Sequence, residues 1–147
     1  MRSILFLLGL ALTFGCQSRS TKESSQTQST ETLVSRDTLC FQQVLQRDTT
    51  TLRLITDGTK ATGYLDINPY EKDRARGPIQ GTINGNEIRT NWERSGEGVT
   101  QRYELDLMLK ADAITWHEGE RVKKDGVWVL KQPDSGYAYV LNKMTCP

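Results

Sequence analysis

The residues able to do chemistry in this chain are few, and their spacing excludes more than it offers. There is one histidine, His117, and there are three cysteines, Cys16, Cys40 and Cys146. A single imidazole cannot build a multi-histidine metal site, and no serine stands in a nucleophile-elbow context, so neither a histidine-rich metal centre nor a hydrolytic triad is indicated. The run His117-Glu118-Gly119-Glu120 carries nitrogen and oxygen donors, too little for a three-ligand site from one short segment. Glu104 and Asp106 share one face of a strand at about 7 Å, a separation that invites comparison with glycosidases. They stand in a charged stripe of the kind that normally faces solvent. Walker and dinucleotide glycine patterns do not occur. The chain therefore reads as non-enzymatic, without cofactor or metal, and an enzyme using surface carboxylates ranks last among the readings.

Cys16 is the residue whose setting is most specific. It follows Met1-Arg2-Ser3 and an apolar stretch from Ile4 to Phe14, with the small residue Gly15 directly before it, the layout of a removable export signal over residues 1–15. The apolar run is shorter than the roughly 20 residues that a spanning helix needs, and Gln17-Ser18-Arg19-Ser20 ends it. The segment resembles a bacterial lipoprotein signal, although Thr13 and Phe14 stand where such signals usually place leucine and a small residue, and Leu12 comes one step early. That resemblance implies that Cys16 becomes the first mature residue and carries acyl chains. Each buried methylene contributes about 0.8 kcal/mol, and stable anchoring takes more than one chain. The alternatives are an ordinary secretory signal that leaves Cys16 as a free thiol, or an uncleaved anchor.

With Cys16 assigned to lipid, Cys40 and Cys146 remain as a pair in a compartment that permits disulfides. A bond between them would tie the two ends of the folded region together, and closing about 100 residues stabilises by up to about 4.7 kcal/mol in the chain-entropy model. Two buried, reduced cysteines are the alternative. Between them and the signal, residues 16–36 hold the cysteine and a tether rich in Ser, Thr, Gln, Glu and Lys that lacks the apolar content to fold. As a flexible coil, twenty such residues reach about 25 Å. The whole chain has 19 basic and 18 acidic residues. Loss of Arg2 with the signal evens that balance, which argues against nucleic acid as a partner and against a polybasic membrane patch.

From residue 37 to 147 a single domain is expected, and its pattern is β throughout. Val99, Gln101, Tyr103, Leu105, Leu107 and Leu109 fall on one face of a strand, with Thr100, Arg102, Glu104 and Asp106 on the other. In the next segment upstream Ile88, Thr90 and Trp92 point inward by the same rule. Turn signals at Asp57-Gly58, Asn84-Gly85-Asn86, Gly96-Glu97-Gly98 and Asp125-Gly126 are short enough to make adjacent strands hairpin partners. The spacing predicts strands over 38–46, 50–56, 60–67, 78–83, 86–94, 99–109, 112–118, 126–131 and 137–143. Eight or nine such strands favour an all-β, up-and-down, lipocalin-like barrel that removes its own edges, with a β-sandwich as the alternative. Trp92, Tyr103 and Trp116 are expected inside, filling the interior. Trp128 alternates with Val127 and Val129, so it is exposed if the valines face the core. The connection over residues 68–77 is the longest, and it carries Tyr70, Arg74 and Arg76, candidates for contact with an anionic or protein surface.

The order Asp37-Thr38-Leu39-Cys40-Phe41, Asp48-Thr49-Thr50-Thr51-Leu52, Thr62-Gly63-Tyr64-Leu65, Tyr70-Glu71-Lys72-Asp73, Gly77-Pro78-Ile79-Gln80-Gly81 and Ser95-Gly96-Glu97-Gly98, closing at Cys146, resembles small, uncharacterised lipoproteins of Bacteroidota. The resemblance implies a lipid-anchored β domain and carries no catalytic residues. Surface display in these bacteria often accompanies an acidic stretch after the lipidated cysteine. Gln17-Ser18-Arg19-Ser20 is not acidic, so the expected address is the outer membrane, facing the periplasm. The expected role is a binding or interaction module for an envelope protein or small ligand, held to the membrane by its N-terminal lipid. A carrier of a small apolar ligand is the alternative.

Overall fold

The computed structural model describes residues 36–147. The signal over 1–15, Cys16 and the tether before Arg36 lie outside the described residues. Ten strands follow in order: β1 (Arg36–Leu45), β2 (Asp48–Asp57), β3 (Lys60–Asn68), β4 (Ala75–Asn84), β5 (Glu87–Gly96), β6 (Val99–Leu109), β7 (Ala113–Glu118), β8 (Arg121–Lys124), β9 (Val127–Leu130) and β10 (Tyr137–Met144). No described residue is helical.

Strands β1 to β7 and β10 form a ring in which every neighbour is antiparallel. The sheet runs β5-β4-β3-β2-β1-β10-β7-β6, and the β5–β6 pairing closes it. This closed eight-stranded barrel sets aside the sandwich. Its turns use the residues the sequence offers. Glu97 and Gly98 at one hairpin, and Asp125 and Gly126 at another, all adopt positive φ, as the tightest two-residue hairpin turns require. Closure also needs sharp bends. At Gly81 on β4, a Cβ would sit 1.9 Å from the carbonyl oxygen of Arg89 on β5, so the strand can coil this tightly only without a side chain there.

The barrel departs from the expected strand bounds and from a simple meander in one place each. The predicted strand over 78–83 extends back to Ala75, which shortens the long connection to the six residues 69–74. An additional strand, β8, precedes β9 in a hairpin (Arg121↔Leu130, Val122↔Val129), inserted in the sequence between ring neighbours β7 and β10. Strand β9 then lies parallel to β6 at Arg102↔Val127 and Tyr103↔Trp128. That hairpin lies along the half of β6 that β7 does not reach, because β6 and β7 pair only at Met108↔Thr115 and Leu109↔Ile114 before diverging.

The inward rows read as the alternation predicts. Phe41, Leu52, Leu54, Leu65, Ile79, Ile88, Trp92, Leu105, Ile114, Trp116 and Leu141 are buried in one cluster. Each such large apolar side chain contributes about 1.5–3 kcal/mol by leaving water. Cys40 and Cys146 are bonded, with Cα atoms 5.2 Å apart, across the seam where β1 pairs β10 (Cys40↔Met144). Residues 33–147 form one compact unit, whose ring of strands closes on itself and is crossed by the disulfide.

Candidate functional site

The interior is filled through its middle and opens at one end. Proceeding toward the ends of β1, β3, β5 and β7, the inward rows change from aliphatic to aromatic and then to polar residues. On β5 the series is Ile88, Thr90, Trp92, Arg94; on β7 it is Ile114, Trp116, Glu118. The opening is a cavity of about 280 Å³ lined by Ile67, Pro69, Ala75, Trp92, Tyr103 and Tyr139, with Arg94, Asp73 and Glu118 as its charged members. A second recess of about 220 Å³ adjoins it through Ile67, Pro69 and Tyr139, and takes in Gln43, Asp48 and Tyr137.

Two groups of rings frame this mouth. On one side Tyr103 lies between Trp92 (centroids 6.1 Å apart, tilted at 60°) and Trp128 (6.3 Å, nearly parallel at 26°). On the other, Tyr139 stacks on Trp116 at 4.7 Å and meets the edge of Tyr137 at 4.9 Å. These are favoured ring geometries. Burial, and then the nearby Glu118 carboxylate, push the Tyr139 phenol above its ordinary value, so this hydroxyl stays protonated throughout the neutral range.

Arg121 closes the wall where β6 and β7 part. Its side chain is 6% exposed and pairs with both oxygens of Glu118, at 2.7 and 3.0 Å. The same guanidinium donates to the carbonyl oxygens of Glu104 on β6 (2.9 Å) and Trp128 on β9 (3.0 Å) and lies 5.1 Å over Tyr103. One side chain therefore supplies hydrogen bonds across a seam that lacks a ladder. The fork of five donors suits arginine to that task.

The residues singled out in the sequence fall in different places. Trp128 is half-buried, as are Val127 and Val129; it packs on Tyr103 instead of standing free, and its indole N–H is buried without an acceptor among the described residues. Tyr70 lies at the rim, its backbone N–H donating to Asp48 at 2.7 Å and its ring covered by the guanidinium of Arg47 at 3.1 Å. Arg74 is engaged through Nε with Asp66 at 2.7 Å, and its second nitrogen contacts the other carboxylate oxygen. Arg76 is exposed on β4, opposite Asp66. Tyr70 and Trp128 thus belong to the mouth end, whereas Arg74 and Arg76 do not line the cavity. Among the described residues, no group of three or more His, Cys, Asp or Glu is placed to hold a metal ion. Asp106 accepts from Arg89 at 2.9 Å, and the Glu104 backbone carbonyl accepts from Arg121.

No family model, curated protein or solved structure matches this chain. The geometry of the mouth therefore carries the functional reading. Sequence reasoning missed Arg94, Glu118 and Tyr139 as mouth residues, and the signal that marks them is the same period-two alternation that found the core. Each sits two residues beyond a core aromatic or at the next inward step: Trp92 to Arg94, Trp116 to Glu118, Leu141 to Tyr139. A charge that continues an inward row is a cue for the mouth of a barrel.

The rim mixes charged residues such as Arg47, Glu71, Lys72 and Glu97 with apolar ones. Among the described residues, the exposed large hydrophobics include Val44, Leu45, Tyr70, Val99 and Tyr137, and all five belong to the strand ends or loops at this opening. The chain enters the barrel at Arg36, at the other end of β1. Ten extended residues cover about 30 Å, so the opening faces away from the point where the preceding chain arrives.

Proposed function

We propose that this protein is a lipid-anchored lipoprotein of the bacterial envelope, non-enzymatic, whose barrel mouth binds a small ligand. Acylated Cys16 holds it at the outer membrane on the periplasmic side. The observation that carries the reading of the mouth is the aromatic cavity of about 280 Å³ with exposed apolar side chains at its rim, a concave site with a few convergent polar groups. The filled core below it argues for a shallow mouth site over a deep carrier of a long apolar chain. The exposed Val44, Leu45 and Tyr137 also favour a second reading, in which an envelope protein docks at the same end and covers them.

Native mass spectrometry of the full chain, released from the membranes of its own host, tests both parts at once. The expected spectrum has acyl mass on Cys16 and a non-covalent small-molecule adduct, and the adduct is lost when Tyr103 and Tyr139 are both changed to alanine. An unacylated N-terminus would overturn the anchor. An acylated chain with no adduct that depends on the mouth would overturn the small-ligand site and direct attention to the rim as a protein contact.

A further inference from the structure

The charges around the mouth are not equally occupied. Glu118, although inward-facing, is matched by Arg121 through both of its oxygens. Asp73 is an exposed loop residue, where solvent and salt screen its field. Arg94 differs from both. It is half-buried, lines the cavity, and holds its guanidinium 5.5 Å over Tyr103 and 6.0 Å over Trp92. Among the described residues no carboxylate forms an ion pair with it. Contact with ring faces satisfies the charge of a guanidinium in part, but it uses none of the five N–H donors. The indole N–H of Trp92, a residue 2% exposed that also lines the cavity, is likewise buried with no acceptor among the described residues.

From these observations, and resting on the mouth being a ligand site, we infer that the ligand is a small planar anion of one or two rings bearing a carboxylate, bound through Arg94. The carboxylate accepts two N–H bonds from the guanidinium, the bidentate match that arginine favours. The ring system packs against the apolar side chains of Ile67, Pro69 and Ala75, beside Tyr139. Arg94 already occupies the ring faces that would otherwise attract a cation, so an ammonium ligand meets a like charge. Size sets the other limit. The main cavity and its adjoining recess, about 280 and 220 Å³, lie at or below the roughly 300–1,000 Å³ of drug-sized sites. A long acyl chain would need the volume that Phe41, Leu54 and Ile79 fill.

The test is calorimetric titration of residues 33–147 with four probes: 2-naphthoate, 2-naphthamide, 2-naphthylmethylammonium and decanoate. Proton–nitrogen NMR follows the Arg94 Nε–H and Trp92 Nε1–H resonances in parallel. Naphthoate is expected to bind at least tenfold tighter than any of the other three and to shift both resonances. Arg94→Gln is expected to remove most of the preference for naphthoate over naphthamide, and Arg94→Lys to keep part of it. Equal affinities for naphthoate and naphthamide, tighter binding of the ammonium or of decanoate, or a preference that survives Arg94→Gln would overturn the anion assignment while leaving the mouth as a ligand site. If no ring probe shifts any resonance of the mouth, the ligand-site reading falls as well.

Discussion

At the scale of single residues, Arg121 has the most to lose. A guanidinium 6% exposed that bonds a carboxylate and two backbone carbonyls cannot be removed without leaving those acceptors short of donors in a place water reaches poorly. Breaking a buried pair by deleting one partner costs about 3–5 kcal/mol, and because Glu118 is one-third exposed (32%) the loss here is set lower, at about 2–3 kcal/mol. Arg121→Met is expected to lower the urea midpoint by that amount with little change in slope. A loss under about 0.5 kcal/mol, the size of an ordinary surface change, would mean that the hairpin and the β6–β7 seam are held by packing alone. Nothing in the local sequence marks Arg121 among the many basic residues here, because its value comes from three acceptors on three different strands.

At the scale of the element, the strands show how one residue type can be required for unrelated reasons. Gly81 lies inside β4, where an added Cβ would meet the Arg89 carbonyl oxygen at 1.9 Å and the Thr90 Cα at 2.7 Å. Both obstacles are backbone, so the sheet itself must shift. Gly85, in the β4–β5 turn, has open space around its Cβ position but a φ of +60°. Its replacement costs the roughly 1 kcal/mol of holding an L-residue in the left-handed region. Gly81→Ala is expected to destabilise by about 3 kcal/mol, at the upper end of overpacking effects, and Gly85→Ala by about 1 kcal/mol, as read by thermal or urea unfolding of the two variants. The reverse order would show that the barrel does not depend on the tight bend in β4. The Asn-Gly-Asn setting announces the turn glycine in the sequence. The strand glycine has no such local mark, since only the approach of β5 makes it necessary.

At the scale of the whole molecule, the barrel has two weak seams with different remedies. The β6–β7 seam is patched by Arg121 and the β8–β9 hairpin. The β10–β1 seam, paired at Cys40↔Met144, Phe41↔Lys143 and Gln42↔Asn142, is crossed by a disulfide that joins residues 106 apart in sequence. A bridge over so long a loop removes up to about 4.7 kcal/mol of denatured-state freedom in the chain-entropy model, a large fraction of the stability of a small domain. Reduction is expected to lower the melting temperature by more than about 10 °C, taking about 4–8 °C per kcal/mol for domains of this size. The paired change of Cys40 and Cys146 to serine should reproduce the effect, and an unchanged melting point would show that the bond contributes nothing to stability. Because the bridge ties the end of the barrel where the chain enters, the mouth keeps its loops free of covalent constraint.

By itself the sequence determined what depends on neighbours along the chain. Alternation at Ile88-Thr90-Trp92 and Tyr103-Leu105-Leu107 set which faces turn inward. Glycine-bearing turns set where strands reverse, and the placement of Cys40 and Cys146 at the two ends of the folded region marked the pair that could close it. These are local constraints, written in runs of a few residues. Tertiary structure alone decided the parallel docking of β9 on β6, the junction at Arg121, the bend at Gly81 and the gathering of Arg94, Tyr103 and Tyr139 around one opening. Each joins residues that only a closed ring brings within reach, and the energy of such contacts belongs to the pair or cluster and to no single stretch of sequence.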